Sequence, residues 1–263
     1  MNGFRALTAI LLAFLLHACI PTKDLTYLQE DQQADTTPLI VKRQSPPYRV
    51  QINDVLSIRI KALDQDLVAL FNPAASEIGS AVGEGYYYDG FAVDRHGKIR
   101  VPTLGEVPVL GMTTEEIRLK IEELLLQDYF KEEANIFVSV KMAGINYTVL
   151  GEVGSPGTKV ELTEELNVLQ AIANSGDIPI TGDRTDVIII RQYPGGQRIH
   201  HIDLTTIDAM NSPYYILQPN DTIIVNPLPQ KSIGAGTTGL QSFTTILSVV
   251  TALASVVLLF ISL

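Results

Sequence analysis

The chain has 263 residues, of which 46% are hydrophobic and 18% are charged, and its formal net charge at pH 7 is −10. An acidic chain without a cluster of Lys and Arg is not expected to bind nucleic acid through phosphate contacts. Cys19 is the single cysteine, which excludes an intrachain disulfide.

The N-terminus has the pattern of a lipoprotein signal sequence. Arg5 precedes the apolar stretch 6–16, which fits a signal-peptide core and is too short to span a bilayer. The stretch runs directly into Leu16-His17-Ala18-Cys19, and a lone cysteine at this place suits an acylated thiol. We therefore predict a signal peptide over residues 1–18 and a polar, lipidated tether over residues 19–45. The alternative is an ordinary secretory signal followed by a chance cysteine.

The first folded segment is predicted to combine strands with one helix. Apolar and polar residues alternate over residues 56–61, as in a half-buried strand. Short β segments follow, with turns at Gly97 and Gly105, where glycine permits a positive φ. Thr113-Thr-Glu-Glu116 fits a capping box at the start of an amphipathic helix of roughly two to three turns. Residues 136–142 alternate again, which predicts a further strand.

A second segment repeats this mixture of strand, helix and hairpin. Residues 145–149 predict a strand that leads into a turn at Gly157, and residues 165–174 predict a helix. Tyr193-Pro-Gly-Gly196 lies between two apolar segments and is typical of a hairpin turn. A last strand is predicted over residues 222–225. The body is therefore predicted to belong to the α+β class.

One residue spacing occurs twice in the chain. It reads Tyr48-x-Val50-x-x-Asn53-Asp54-x-Leu56 and Tyr215-x-Leu217-x-x-Asn220-Asp221-x-Ile223. Because Asn and Asp tolerate left-handed backbone, each Asn-Asp pair predicts a turn just before a strand. The alternative is a catalytic or metal-binding role for Asp54 or Asp221. The predicted structural turn residues are Asn53, Asp54, Gly97, Gly105, Gly157, Asn220 and Asp221.

The C-terminus carries a second membrane signal. No charged residue follows Lys231, and residues 243–263 are uncharged and mostly apolar, which is enough for one bilayer span. We predict a hinge over residues 229–242 and a transmembrane helix over residues 243–263. A buried core helix is the alternative.

The polar residues of this C-terminal segment share one side of the predicted helix. At about 100° per residue they fall within an arc of roughly 120°. They are Gln241, Thr244, Thr245, Ser248, Thr251, Ser255 and Ser262. A hydroxyl without a partner is costly in hydrocarbon, so this stripe should face protein or water. Either a packing seam between helices or the lining of a wet pore fits the pattern.

Three motifs suggest a cofactor or metal site, but each lacks the neighbouring elements or ligands that such a site needs. Residues 234–239 match the dinucleotide-binding fingerprint, but Pro227 and Pro229 precede it where a strand is required, and no acidic residue follows. His200 and His201 are adjacent on a predicted strand, so they should point to opposite faces and not share one ion. His96 lies in a turn with no ligand at metal-site spacing. We therefore predict no catalytic site, no metal site and no cofactor.

Two runs of residues resemble a known family. The first run resembles the polysaccharide-export domain of Wza-type outer-membrane proteins. It consists of Tyr48 to Ile58, followed by Val93-Asp94-x-x-Gly97-x-Ile99-x-x-Pro102-x-x-Gly105-x-Val107-x-Val109-x-Gly111-x-Thr113-x-x-Glu116. The second run is similar to the β-grasp-like SLBB domain of that family. It consists of Val149-Leu-Gly151-Glu-Val153-x-x-Pro156-Gly157 and Ile172-Ala-Asn-Ser-Gly176-Asp177. Tyr27-Leu28-Gln29 also resembles envelope members. The implied division is residues 46–144 for the export domain and residues 145–228 for the SLBB domain.

The resemblance implies a transport component and not an enzyme. It implies a homo-oligomeric ring, lipid-anchored at the outer membrane with its body in the periplasm, through which capsular polysaccharide or exopolysaccharide passes. It also implies an inner-membrane co-polymerase, often with a tyrosine-kinase part, as partner. Asn53 stands where the family usually has Gly, and one SLBB unit stands where the best-known members carry two. The alternative is a structural or glycan-binding envelope lipoprotein without a transport pore.

Overall fold

The computed structural model describes most of the body of the chain. The described residues are 21–30, 46–62, 68, 70–72, 90–130, 135–193, 195–232, 247–248, 250–251 and 255. They contain two separate apolar cores, one built from residues between Val50 and Val138 and the other from residues between Ile145 and Val225. We call these parts the first and the second unit. The domain boundaries drawn from the sequence stay a prediction.

The first unit packs one helix against a small antiparallel sheet. Its described elements are β1 (Val55–Lys61), β2 (Phe91–Ala92), β3 (Lys98–Val101), β4 (Gly105–Pro108), α1 (Thr114–Asp128) and β5 (Phe137–Met142). Strand β1 lies between β2 and β5 and is antiparallel to both, while β3 and β4 form a separate hairpin. The buried face of α1, which includes Ile117, Ile121 and Leu125, completes the core of this unit.

Helix α1 begins at the predicted capping box and is longer than predicted. The Glu116 N–H donates to the Thr113 hydroxyl, and the Thr113 N–H donates to the Glu116 carboxylate at 2.8 Å. The helix has 15 residues, which is roughly four turns. It continues past Leu125, the last apolar position of the predicted helix, to Asp128, and the Tyr129 and Phe130 N–H groups both donate to the Leu125 carbonyl at its end.

The second unit is a five-stranded mixed sheet crossed by one helix. Its elements are β6 (Ile145–Gly151), β7 (Gly157–Glu161), α2 (Val168–Asn174), β8 (Gly182–Tyr193), β9 (Gly196–Ile202) and β10 (Asp221–Pro227). The strand order is β7-β6-β10-β8-β9. Strand β10 runs parallel to β6, and all other neighbours are antiparallel. Together the two units confirm the predicted α+β class.

Two elements of the second unit differ from their prediction. Helix α2 begins at Val168 and not at Glu165, because Asn167 caps it: the Gln170 N–H donates to Asn167 Oδ1 at 2.8 Å and the Asn167 N–H donates to Gln170 Oε1 at 3.0 Å. Strand β7 was not predicted beyond the turn at Gly157. Its alternation is weak because it is a short edge strand that pairs with β6 alone.

Several predictions fall on residues that the structure does not describe. Among the described residues, none of the helices has the length and apolar character needed to cross a membrane. The signal peptide 1–18, Cys19 and the glycine motif 234–239 lie outside the described residues. So does most of the predicted transmembrane helix, of which only Leu247, Ser248, Val250, Thr251 and Ser255 are described, all of them helical. The predicted hinge is described over residues 229–232, where the chain forms the short helix α3 (Pro229–Ser232).

Gly105 and Gly157 show how backbone conformation constrains two turns. Their φ angles are +78° and +141°, and an added Cβ would meet nothing within 4 Å at either position. A β-branched side chain would therefore be strained by the backbone and not by crowding. We expect Gly105→Val and Gly157→Val each to lower the free energy of unfolding by about 1 to 3 kcal/mol, measured by urea unfolding.

The matched control for these variants is Gly195→Val. Gly195 also has open space around an added Cβ, but its φ lies outside the left-handed region. Gly195→Val should therefore cost less free energy of unfolding than either of the other two substitutions. Equal stability of all three variants would show that the two turns accept any side chain.

Candidate functional site

A buried aspartate holds the turn that leads into β1. Asn53 has a φ of +70°, and Asp54, which follows it, is 3% exposed. The Tyr48 hydroxyl and the Gln51 N–H each donate to Asp54 Oδ2 at 2.7 Å. No described Lys, Arg or His forms an ion pair with this carboxylate. Burial therefore raises the pKa of Asp54 above its usual range.

The second copy of the spacing builds the same turn in front of β10. Asn220 has a φ of +68°, and the Gln218 N–H donates to Asp221 Oδ2 at 2.8 Å. Asp221 differs from its counterpart by having a cation: Arg191 Nη2 donates to Oδ2 at 2.8 Å and Arg191 Nε to Oδ1 at 3.1 Å. Both side chains of this ion pair are almost completely buried. Burial raises the pKa of Asp221, and the Arg191 guanidinium acts in the opposite direction.

A matching glutamine completes both turns. Gln51 and Gln218 stand at the same place in the two spacings. The N–H of each donates to the carboxylate of the aspartate three residues later, and the N–H of that aspartate donates to the glutamine main-chain carbonyl. These glutamines were not among the predicted turn residues, although the shared pattern Tyr-x-Val/Leu-Gln-x-Asn-Asp is visible in the sequence. Within the described part of the chain, no group of three or more His, Cys, Asp or Glu is placed to hold a metal ion. The geometry of both aspartates is that of a structural turn.

A cavity of about 230 Å³ lies between the two turns, at the junction of the units. Its lining includes Asn53 and Val55 from the first unit and Asn146, Val160 and Asn220 from the second. Asparagine amides can both donate and accept hydrogen bonds, so the cavity could hold a small hydroxylated molecule. Asp54 is the one carboxylate in the described lining of this cavity, whereas a hard cation such as Ca²⁺ binds several oxygen ligands.

The described part of the predicted tether packs against the second unit. Residues 21–30 begin with a 3-10 helix (Thr22–Leu25), after which Gln29 forms a parallel β-bridge with Thr206. The Leu28 N–H donates to the Leu204 carbonyl at 3.0 Å, and the Gln29 N–H donates to the Thr205 carbonyl at 2.6 Å. Over these residues the chain is docked and not extended as a free tether.

The tyrosine of this segment reaches the loop between α2 and β8. The Tyr27 hydroxyl donates to Asp177 Oδ1 at 2.6 Å, and the Arg184 guanidinium lies 5.1 Å from the centre of the Tyr27 ring. Burial, together with the bond to Asp177, raises the pKa of Tyr27 to about 12. The phenol is therefore protonated at physiological pH and remains a hydrogen-bond donor.

The C-terminal end of the second unit leaves the body beside the same loop. The Leu228 N–H donates to the Thr181 carbonyl at 2.8 Å, and the Thr181 hydroxyl donates to Glu152 at 2.9 Å. Lys231 in α3 forms an ion pair with Glu152. Residues 177–184 thus contact both the N-terminal segment, through Tyr27, and the C-terminal end of the second unit, through Leu228.

The two adjacent histidines lie on opposite faces of β9. His200 stacks on Tyr214 with ring centres 3.6 Å apart, and burial lowers the pKa of His200. His201 Nδ1 lies 2.5 Å from Asp186 Oδ1 on the other face. The two imidazoles therefore have separate partners, and His96 sits in the turn before β3 beside Asp94.

Two hydroxyls of the predicted C-terminal stripe are bonded within their own helix. The Thr251 hydroxyl donates to the carbonyls of Leu247 and Ser248, both at 2.9 Å, and the Ser255 hydroxyl donates to the Thr251 carbonyl at 2.8 Å. Such back-bonding satisfies the hydroxyl hydrogen without any outside partner. Four members of the stripe, Gln241, Thr244, Thr245 and Ser262, lie outside the described residues.

Comparison with known proteins places these features in a family. Residues 42–141 match the family model described as polysaccharide biosynthesis/export protein. Over these residues the chain is similar to the polysaccharide-export family. This finding confirms the resemblance of residues 48–116 to the polysaccharide-export domain. The matched region contains the Asp54 turn, the β3–β4 hairpin and α1, and it ends just before β6.

Two curated relatives carry names that agree with the family. One is the EPS I polysaccharide export outer membrane protein EpsA of Ralstonia nicotianae, 26% identical over 166 residues that cover 61% of this chain and 42% of EpsA. Another is the capsule polysaccharide export protein BexD of Haemophilus influenzae, 26% identical over 193 residues that cover 72% of this chain and 46% of BexD. The chain thus spans about half the length of the curated relatives that it matches.

Asp54 and Asp221 should respond differently to removal of their charge. Because the folded-state pKa of Asp54 is raised, the folded chain binds more protons than the unfolded chain at mildly acidic pH. The contribution of Asp54 to the free energy of unfolding therefore falls as pH rises through its folded-state pKa. We expect Asp54→Asn to remove this decline and to change stability at neutral pH by only about 1 kcal/mol, because an amide oxygen still accepts from Tyr48 and Gln51.

The matched comparison is Asp221→Asn, which leaves Arg191 buried without a counter-charge. It should cost about 3 to 5 kcal/mol across the same pH range. Urea unfolding between acidic and neutral pH, followed by tyrosine fluorescence, measures both. Equal pH profiles for wild type and Asp54→Asn would contradict the prediction for Asp54.

Proposed function

We propose that the chain exports capsular polysaccharide or exopolysaccharide across the outer membrane as a subunit of an oligomeric ring. The observation that carries this proposal is the match of residues 42–141 to the polysaccharide-export family. The names of EpsA and BexD, which describe polysaccharide export, support the substrate class. An inner-membrane co-polymerase, often with a tyrosine-kinase part, would hand the polymer to this ring.

The topology of the second unit supports an SLBB domain of β-grasp type. Its first and last strands, β6 and β10, lie side by side and parallel, and the β6–β7 hairpin and the β8–β9 hairpin flank them. Helix α2 connects the first hairpin to the second and covers one face of the sheet. In this proposal a single such unit makes the ring wall shorter than one with two.

The proposed location is the outer membrane, with the body in the periplasm. Two attachments would hold it there: an acyl group on Cys19 and a transmembrane helix over residues 243–263. Ile20 follows the cysteine where Asp would favour inner-membrane retention, and this supports sorting to the outer membrane. The outer-membrane name of EpsA agrees with that location.

Deletion of the gene in its own host tests the proposed function. We expect the deletion strain to lose surface polysaccharide while the polymer accumulates inside the cells, because the step across the outer membrane is missing. A plasmid copy of the wild-type chain should restore surface polysaccharide, and detergent extracts should contain an oligomer on native gels. Unchanged surface polysaccharide, or a monomer in the extracts, would favour the tethering lipoprotein without a pore.

The C-terminal stripe provides a separate prediction about the pore. Single cysteines at Ser248, Ser255 and Val257 can be treated with a water-soluble thiol reagent in assembled particles. If the stripe lines a wet pore, Ser248→Cys and Ser255→Cys should react while Val257→Cys is protected. Protection of all three indicates a packing seam. Because the hydroxyls of Thr251 and Ser255 are bonded within the helix, a dry seam would carry little polar cost.

A further inference from the structure

The five-stranded sheet of the second unit ends in two strands that each have one neighbour. Strand β7 pairs with β6 alone and β9 pairs with β8 alone, so both outer edges are open within the described part of the chain. An open edge presents unpaired main-chain N–H and C=O groups that a strand of another chain can meet. We propose that β9 of one copy pairs with β7 of the next copy, so that one continuous sheet joins neighbouring subunits.

The proposed pairing uses two different surfaces of the chain, and it rests on the proposed oligomeric ring. Strands β7 and β9 lie at opposite edges of the sheet, so the contact is head-to-tail. A head-to-tail contact leaves the same two edges free at the ends of any open assembly and adds copies until their rotation closes a ring. Pairing of two like edges would instead stop at a dimer.

The strand directions favour this contact. Strand β10 is parallel to β6, whereas β7 is antiparallel to β6, β8 is antiparallel to β10 and β9 is antiparallel to β8. It follows that β7 and β9 run in opposite directions within one copy. A second copy placed alongside in the same orientation therefore brings its β7 antiparallel to β9, and antiparallel strands form slightly more stable pairs than parallel strands.

An exposed apolar residue lies in the middle of each open edge. Val160 in β7 is 37% exposed, and Ile199 in β9 is 62% exposed. Their partners in the sheet are Asn146 and Ile190, each next to a core residue, so both side chains lie on the face turned away from α2. Residues opposite each other in a continuous sheet share a face, so Val160 and Ile199 can cover each other. We call this alignment the Val160–Ile199 register.

The same register brings opposite charges together on the α2 side of the sheet. It places Glu161 of one copy opposite Arg198 of the next. Within the described part of the chain Arg198 has no carboxylate partner, and its guanidinium lies 4.9 Å from the centre of the Tyr193 ring. Glu161 Oε1 accepts from the Asn174 amide at 2.8 Å, which leaves Oε2 to accept from Arg198. Opposite charges across an antiparallel pair stabilise the pairing.

The neighbouring registers are disfavoured for separate reasons. A slip by one residue would turn the apolar side chains to opposite faces. A slip by two in one direction would place Lys159 opposite Arg198, and like charges at facing positions destabilise a pair. A slip by two in the other direction would place Gly157 opposite Leu204, whose carbonyl already accepts from the Leu28 N–H at 3.0 Å. One register therefore remains.

Cysteine cross-linking of the full chain tests the contact. Facing residues of an antiparallel pair have Cα atoms about 4.5 to 5.5 Å apart, which is within reach of a disulfide. Membranes that contain Val160→Cys/Ile199→Cys are oxidised with copper phenanthroline. We expect a ladder of covalent dimers, trimers and larger oligomers on denaturing gels, removed by reductant, because each copy offers one cysteine to each neighbour. Thr158→Cys/His201→Cys, in the same register, should give the same ladder.

Three variants are controls for this ladder. Val160→Cys/Gln197→Cys tests a slip of two residues and should link several-fold less than the Val160→Cys/Ile199→Cys pair. Each single variant, Val160→Cys or Ile199→Cys, should form no covalent oligomer. Closure within one chain is excluded, because the two edges lie about 19 Å apart across four strand spacings. A covalent dimer from either single variant would mean that like edges pair, which overturns the proposal.

Charge reversal tests the Glu161–Arg198 contact. Added to the Val160→Cys/Ile199→Cys pair, Glu161→Lys should lower the amount of covalent oligomer several-fold, because two cations would then face each other. Arg198→Glu in the same chain should restore the ladder, since the exchanged charges attract again. If Glu161 served only to hold Asn174, the exchange would restore nothing.

The outcomes separate the edge contact from the function on which it rests. An oligomer on native gels without a covalent ladder overturns the edge pairing and leaves the export proposal standing. Ladders of equal strength in the two tested registers also overturn it. A monomer on native gels overturns both the edge pairing and the ring. Surface polysaccharide in the deletion strain measures export independently of any cross-link.

Discussion

The buried ion pair between Arg191 and Asp221 determines where the central strand of the second sheet begins. Asp221 opens β10 with no exposed surface, and the guanidinium and the Gln218 N–H that face it offset the cost of burying its carboxylate. Strand β10 pairs with β6 on one side and with β8 on the other. A shift of one residue would separate the charges and turn Ile223 out of the core. Both halves of the sheet therefore depend on this pair.

The first unit builds the same turn without a cation. Asp54 depends on the Tyr48 hydroxyl and the Gln51 N–H alone, whereas the partner of Asp221 comes from a strand 30 residues away. The repeated spacing therefore specifies the backbone conformation of the turn. Residues distant in the sequence decide whether the buried aspartate has a cation as partner. Because residues of both turns line the cavity between the units, substitutions that destabilise either turn should change the structure of this junction.

Short sequence patterns predicted the elements that depend on neighbouring residues in the chain. The alternation around Leu56 and the capping box at Thr113 are complete within a few residues, and β1 and α1 form where those patterns indicate. The parallel pairing of β10 with β6 and the docking of Gln29 have partners far along the chain; one bond of Gln29 spans 176 residues. The polar composition around Gln29 predicts a tether, because no short-range pattern reveals the carbonyls that Leu204 and Thr205 present. The matching glutamines Gln51 and Gln218 are visible in the sequence, and they contribute to the two turns through their main-chain N–H and C=O groups.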